Sequence, residues 1–258
     1  MIADSQGVRI AYDVHGDGEP LLMIMGLGYG RWGWDPVVEP LATRYRVITF
    51  DNRGYGDSDV PPGPYTAAQM AGDALAVLDA AGAERAHVVG GSLGGAVAQE
   101  LALRHGRRVE KLVLIATMSG ISNMHPIPAP TLQLMAEAPA LEPAVAVRRF
   151  VENALEPEPE PALVDRIIAI RTEKPPDPAG WAAQAGIWAT FDAWEELPSV
   201  EAPTLVVQGE GDVVVDPRNA ALLAERIPSA ELRMVPGGHL FFWNRPDELV
   251  SLLAEFLG

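Results

Sequence analysis

HVVGGSLGGAVAQE, residues 87–100, places one serine among four glycines, between an apolar run and an amphipathic one. Glycine loses more freedom on folding than any other residue, so crowding it marks a backbone requirement. Gly90-Gly91-Ser92-Leu93-Gly94 fits G-x-S-x-G, with a strand pattern before it and a helix pattern after. Such a spacing predicts a strand-to-helix turn so sharp that its serine is strained. Side chains at 90 and 94 would collide in that turn, and Gly95 lets the helix approach the sheet; Gly91 is less demanded. The plainer reading is a close helix–strand crossing that happens to contain a serine.

The rest of the chain supplies a frame for that turn. Short, continuous apolar runs recur as LLMIM (21–25), VITF (47–50), HVV (87–89), KLVLIA (111–116), TLVV (204–207) and LRMV (232–235). Continuous runs are expected of strands covered on both faces. Helical patterns lie between them. Thr66 and Gln69 offer a capping box and Gly82 a stop, Leu93, Val97 and Leu101 make an apolar stripe, and Asp35-Pro36 and Asp216-Pro217 open two further helices. This alternation predicts an α/β fold with a mostly parallel, doubly wound sheet. It stops between 121 and 199, a proline-rich segment carrying HPIPAP, EPEPEP, KPPDP and WAAQAGIWATFDAW. We read 1–120 and 200–258 as the core and 121–199 as an inserted helical cap, with EPEPEP an extended, solvated connector.

Composition narrows the function classes. The chain has 258 residues, a net charge of −16 and no cysteine. The charge argues against nucleic acid or an anionic membrane surface as partner. Without cysteine there is no disulfide, thiolate zinc site or cysteine nucleophile. The N-terminus shows no basic region followed by an apolar one, and no run approaches a membrane span, so a cytoplasmic protein is expected. Oligomeric state is not legible.

Serine needs a base, and the base an acid to orient it. TLVVQGEGD puts Asp212 in the loop leaving one strand, and LRMVPGGH puts His239 in the loop leaving the next. In a parallel sheet these loops and the one holding Ser92 lie along one edge, where ligands bind. Asp216 is the rival acid but reads better as a helix cap. Of the other histidines, His15 is expected in a turn, His87 in a strand, His105 at a helix C-terminus and His125 in the insert.

Over nearly its whole length the sequence resembles the α/β-hydrolase superfamily. The resemblance implies Ser92 as nucleophile, His239 as general base and then acid, and Asp212 as the orienting carboxylate. It also implies an oxyanion hole built from the Leu27 and Leu93 N–H groups, Leu27 lying in Met25-Gly26-Leu27-Gly28 where many members carry His-Gly. Asp51-Asn52-Arg53-Gly54-Tyr55-Gly56-Asp57-Ser58 matches a family D-x-R-G-x-G-x-S element, with Asp51 and Arg53 expected to fix loops beside the site. MGLGYG, DNRGYGDSD, VPPGPYT and GGSLGG look most like small bacterial esterases, enol-lactonases and cofactor-free haloperoxidase-type members. The function implied is hydrolysis of a carboxylic ester or lactone of a largely apolar small molecule through an acyl-enzyme, with no metal and no organic cofactor. Perhydrolase, haloperoxidase-type or lyase chemistry on the same triad, and a non-catalytic ligand receptor, are the alternatives.

Two features remain. Gly28-Tyr29-Gly30-Arg31-Trp32-Gly33 is a formal G-x-G-x-x-G with Asp51 at the distance of a ribose-binding acid, a dinucleotide pattern that would leave the serine constellation unexplained. In the insert, Trp181, Trp188, Phe191 and Trp194 recur at helical spacing; they either line a substrate pocket, with Trp181 and Trp188 as candidates, or glue cap to core. Arg148, Arg149, Arg166 and Arg171 are basic residues that either face an acidic substrate or pair at the surface.

Overall fold

The computed structural model describes residues 1–258. Its strands are β1 (Ile2–Ser5), β2 (Val8–His15), β3 (Glu19–Ile24), β4 (Tyr45–Phe50), β5 (Ala86–Gly91), β6 (Val109–Ile115), β7 (Thr204–Gly209) and β8 (Ala230–Val235). They form one sheet in the order β1-β2-β4-β3-β5-β6-β7-β8. From β4 to β8 every pairing is parallel, while β1 and β2 make an antiparallel hairpin on the β4 edge. The six apolar runs expected to be strands are the six parallel ones. The hairpin went unforeseen because VRIAYDVH mixes polar and apolar positions, and His15 closes β2 instead of lying in a turn.

Burial on both faces explains the continuous runs. Leu21 and Met23 face one hydrophobic layer and Leu22 and Ile24 the other. Val88 and Val89 divide in the same way, as do Leu112 and Val113, because successive strand residues point to opposite faces. One layer is completed by helices α2 (Ala67–Ala80), α3 (Leu93–His105) and α8 (Arg218–Arg226). The other is completed by α1 (Asp35–Ala42), α9 (Phe241–Asn244) and α10 (Pro246–Leu257). Helix α2 starts as expected: Thr66 Oγ1 accepts from Gln69 N–H, Gln69 Oε1 accepts from Thr66 N–H, and Gly82 reverses the chain at φ +66°.

Between β6 and β7 lie α4 (Ala129–Glu137), α5 (Pro143–Ala154), α6 (Pro161–Glu173) and α7 (Pro178–Ala185). Each has proline in its first turn, where no N–H is needed, so the proline richness of this insert punctuates helices. Of EPEPEP, residues 156–160 are non-helical and Pro161 opens α6. The aromatic series does not share one helix: α7 ends at Ala185 and a single 3₁₀ turn covers Gly186–Ala189. No helix is long and apolar enough to cross a membrane.

Close approach at the sheet edge is enforced by specific glycines. A Cβ at Gly94 would stand 2.1 Å from the Ile24 carbonyl oxygen, and one at Gly90 2.4 Å from that of Gly94. At Gly91 the nearest atom would be 3.2 Å away, on Trp34, while Gly72 on α2 faces open space. Urea unfolding should therefore rank three variants. Gly94→Ala loses about 3 kcal/mol or more, Gly91→Ala about 1 kcal/mol, and Gly72→Ala gains up to about 1 kcal/mol. Equal midpoints for the three would contradict this account of the turn.

Candidate active site

Ser92 follows β5 directly and stands at φ 53° and ψ −119°, a conformation that costs a non-glycine residue on the order of 1–3 kcal/mol. The surroundings hold it there. Its N–H donates to Ile115 O at 2.8 Å, and its carbonyl accepts from Gly95 N–H and from Thr117 Oγ1, both at 2.8 Å. Helix α3 begins at the next residue, so its N-terminal peptide dipoles point toward the hydroxyl.

Asp212, in the loop after β7, is buried and accepts four hydrogen bonds. Oδ1 takes Val214 and Val215 N–H at 2.8 and 2.9 Å. Oδ2 takes Gln208 Nε2 at 2.9 Å and His239 Nδ1 at 2.8 Å. A carboxylate only accepts, so Nδ1 carries the proton in that bond, and in a neutral ring the lone pair is then on Nε2. Asp216 does not take part: it accepts from the Arg218 backbone and guanidinium, which hold its carboxyl below the usual range. It is not the expected N-cap: α8 opens at Arg218 with Pro217 in the capping position, and Asp216 stands one residue further out, accepting from the Arg218 N–H. His239 bonds Asp212 and not the Ser92 hydroxyl. Such contacts commonly tighten only when substrate is bound.

The two loops are pressed together by small residues. Gly211 N–H donates to Gly237 O at 2.9 Å, and a Cβ on Gly209 would lie 2.3 Å from Gly238 O. Beyond the histidine, Phe242 stacks on Trp34 at 5.0 Å, and Trp34 is also the neighbour of Gly91. An aromatic bridge thus joins the histidine loop to the serine turn.

On the other side of β5 the loop after β3 lies against Ser92, with the Gly26 Cβ position 3.0 Å from Ser92 Cβ. Neither the Leu27 N–H nor the Leu93 N–H is engaged by another group of the protein. Asn52 Nδ2 donates to Met25 O at 2.8 Å and anchors this loop. Asp51 accepts from the Arg31 N–H and guanidinium and from Asp57 N–H. Burial outweighs these bonds and raises its carboxyl pKa. Arg53 makes a bidentate pair with buried Asp73, both bonds at 2.6 Å. Asp51 and Arg53 therefore fix loops, as expected. The dinucleotide reading fails on the same fact, because the acid it needs for a ribose is already taken by Arg31.

In the insert, Trp181 is 43% exposed and its ring reaches within 2.9 Å of the Gly28 Cβ position. Trp188 is half-buried, edge-on to Phe191 at 6.3 Å and packed against the main core, so it fastens the insert down. Trp194 lies under Arg226. Arg148 pairs with Asp165 and Arg149 with Glu137, whereas Arg166 and Arg171 meet aromatic faces, on Trp243 and Tyr29. Sequence reasoning passed over Gln208, Asn52 and Gln184. Of these only Gln208 carried a signal, as a polar residue ending an apolar strand four positions before Asp212.

A strained serine, a carboxylate-held histidine and free main-chain donors on the C-terminal edge of a parallel sheet define a hydrolase architecture. A model of the α/β hydrolase fold matches residues 19–246, and the chain belongs to that family. It is 33% identical over 260 residues to a protein of Azorhizobium caulinodans named as the carbamate hydrolase RutD, covering 96% of this chain and 94% of the other. Among solved structures it resembles Est816, described as an N-acyl homoserine lactone degrading enzyme, at TM-score 0.83 and 31% identity, covering 99% of this chain and all of the other. It also resembles the enol-lactonase of Burkholderia xenovorans LB400, at TM-score 0.86 and 26% identity, covering 100% and 99%. Family and relatives together support a hydrolase.

The hydrogen-bonded imidazole is directly observable. Proton NMR should show a downfield imidazole N–H that survives in Asp216→Ala and disappears in Asp212→Ala. Its loss in Asp216→Ala alone would make Asp216 the partner of His239.

Proposed function

We propose that this protein hydrolyses a carboxylic ester or lactone of a largely apolar small molecule through an acyl-enzyme on Ser92. The observation that carries the reading is the His239–Asp212 bond at 2.8 Å, on the same sheet edge as a serine held at φ 53°. That bond fixes the tautomer a base requires. The activities named for the relatives, on carbamates and lactones, likewise call for attack on an acyl carbon.

Ser92 Oγ attacks the carbonyl carbon while His239 Nε2 takes its proton. The carbonyl oxygen becomes an oxyanion held by the Leu27 and Leu93 N–H groups, a pair whose single members are worth about 3–4 kcal/mol in such sites. Collapse breaks the C–O bond, and the departing alkoxide takes the proton from His239. In a lactone that alcohol stays tethered to the acyl group. Water then attacks the acyl-enzyme, giving a proton to His239, which returns it to Ser92 Oγ as the acid leaves. Asp212 steadies the imidazolium in both halves. The insert acts as a cap, with Trp181 against the Gly28 loop, where its ring favours an apolar acyl or alcohol group.

Intact mass after exposure to a small fluorophosphonate tests the nucleophile. One adduct is expected on the wild type and none on Ser92→Ala, which should fold normally and hydrolyse nothing. Turnover by Ser92→Ala would remove Ser92 from the mechanism. Hydrolysis of a p-nitrophenyl ester should rise as pH is raised from the acid side, since only neutral imidazole can act as base. Asp212→Asn should lower kcat about 10⁴-fold by favouring the wrong tautomer. A flat pH profile, or full activity in Asp212→Asn, would break the proposed chain of proton transfer.

A further inference from the structure

Gln184 lies on α7, distant in sequence from every residue discussed as catalytic, and is 1% exposed. Its carboxamide is used at both ends, and both partners are main chain. Nε2 donates to Arg53 O at 2.8 Å, and Oε1 accepts from Gly28 N–H at 3.4 Å. Helix α7 is seated so tightly here that a Cβ on Gly180 would meet Gly54 O at 2.1 Å.

These contacts bear on a short stretch of chain. Asn52 holds the Met25 carbonyl from the core, and Gln184 holds the Gly28 N–H from the insert. Between the two anchors lies Leu27, whose N–H has no partner in the protein, in a turn closed by Tyr29 N–H to Gly26 O at 3.3 Å. Gly26 and Gly28 flank it, Gly28 at φ +68°, and glycine restrains its peptide planes weakly. Without the second anchor, the Leu27–Gly28 peptide can rotate, and because it shares the Leu27 Cα with the Gly26–Leu27 peptide, that neighbouring unit and the Leu27 N–H it contains lose their fixed orientation. A donor aimed away from the developing charge contributes little to catalysis.

We propose that Gln184 is a positioning residue through which the docked insert aims the Leu27 N–H at the reacting carbonyl oxygen. The inference rests on the Ser92 reading above. Gln184 touches no reacting atom and acts through the backbone at Gly28. A carboxamide suits this position, because one side chain must both donate to a carbonyl and accept from an N–H. Glutamate keeps the acceptor but turns a second oxygen on Arg53 O, and methionine keeps the volume without either bond. The insert, in this view, completes the oxyanion hole as well as covering it.

The test compares wild type, Gln184→Met and Gln184→Glu by the second-order rate constant for fluorophosphonate labelling of Ser92, and by kcat and KM on a p-nitrophenyl ester. Removal of a whole oxyanion donor lowers kcat about 10²–10³-fold, and a misaimed one should lower it about tenfold or more. Labelling and kcat are expected to fall together in Gln184→Met, with KM within about twofold and the pH profile unmoved, because His239 is untouched. Gln184→Glu should fall between, since it retains the Gly28 contact. Wild-type labelling in Gln184→Met, or a loss confined to KM, would overturn the proposal. If Gln184→Met fails to fold, Gln184→Leu, which also removes the Gly28 contact, takes its place, and labelling at the wild-type rate there overturns the proposal. Absence of labelling in the wild type is a separate outcome that removes the Ser92 reading and this one with it.

Discussion

The reversal from β5 into α3 within a single residue is the constraint on which the rest of the site depends. Ser92 takes φ 53° without a glycine's freedom, and its backbone is held by Ile115 and Thr117 from the β6 side and by Gly95 from the helix. On the opposite side, α3 comes so near β3 that Gly94 cannot carry a side chain. The serine turn thus sits between β3 and β6 in mid-sheet, so loops arrive beside it from both directions. One brings free N–H groups, the other a histidine held by a carboxylate. A hydroxyl at a sheet edge or in a mobile loop could not be approached from two sides in this way.

The electrostatics follow the same logic of placement. The chain carries 35 acidic against 19 basic residues, so cations are scarce and their positions are informative. Arg31 gathers Asp13, Asp51 and Asp57 around one guanidinium, and these carboxylates raise its pKa against the opposing effect of burial. Arg53 is held by Asp73 in the same manner. Both arginines lie in the loops that flank the serine turn. Each ties a loop to its neighbour with planar, bidentate-capable geometry, which a lysine could not reproduce. Acidic excess elsewhere faces solvent, while the few cations near the site fix its walls.

How much of this could be read from the chain follows from the range of the interactions. Turns and caps are local, so G-x-S-x-G, the Thr66 capping box and the strand-end placement of Asp212 and His239 stand in the sequence with their reasons. The choice of Asp212 over Asp216 was legible because Asp-Pro followed by a helical pattern has its own local use. The β1–β2 hairpin was not, since half-exposed strands mix polar and apolar residues and lose the continuous signature of the central ones. Nor was the aromatic series resolved: Trp181 and Trp188 look equivalent by spacing, yet a break after Ala185 sends one toward Gly28 and the other into the core. Gln184 was invisible for a stricter reason. Its partners are backbone atoms 131 and 156 residues away, and backbone atoms leave no mark in a sequence.

The insert therefore has two inner contacts of different chemical consequence. Through α7 it meets the loop that presents Leu27. Through the end of α5 it meets the histidine loop, where Leu240 N–H donates to Ala154 O at 2.8 Å and a Cβ on Gly238 would lie 2.1 Å from Leu155 O. Glu156, at the start of EPEPEP, adds bonds to Asn244 and Arg245, so the connector is anchored at its first residue though solvated beyond it. A segment gripping the loops on both sides of the serine cannot shift without moving those loops. Its outer surface bears no such burden, and Leu132 and Met135 on α4 are about half exposed there. Changes on that surface leave these two inner contacts in place. The faces turned toward Gly28 and Leu240 are thus constrained by the loops they hold, and the outer surface is not.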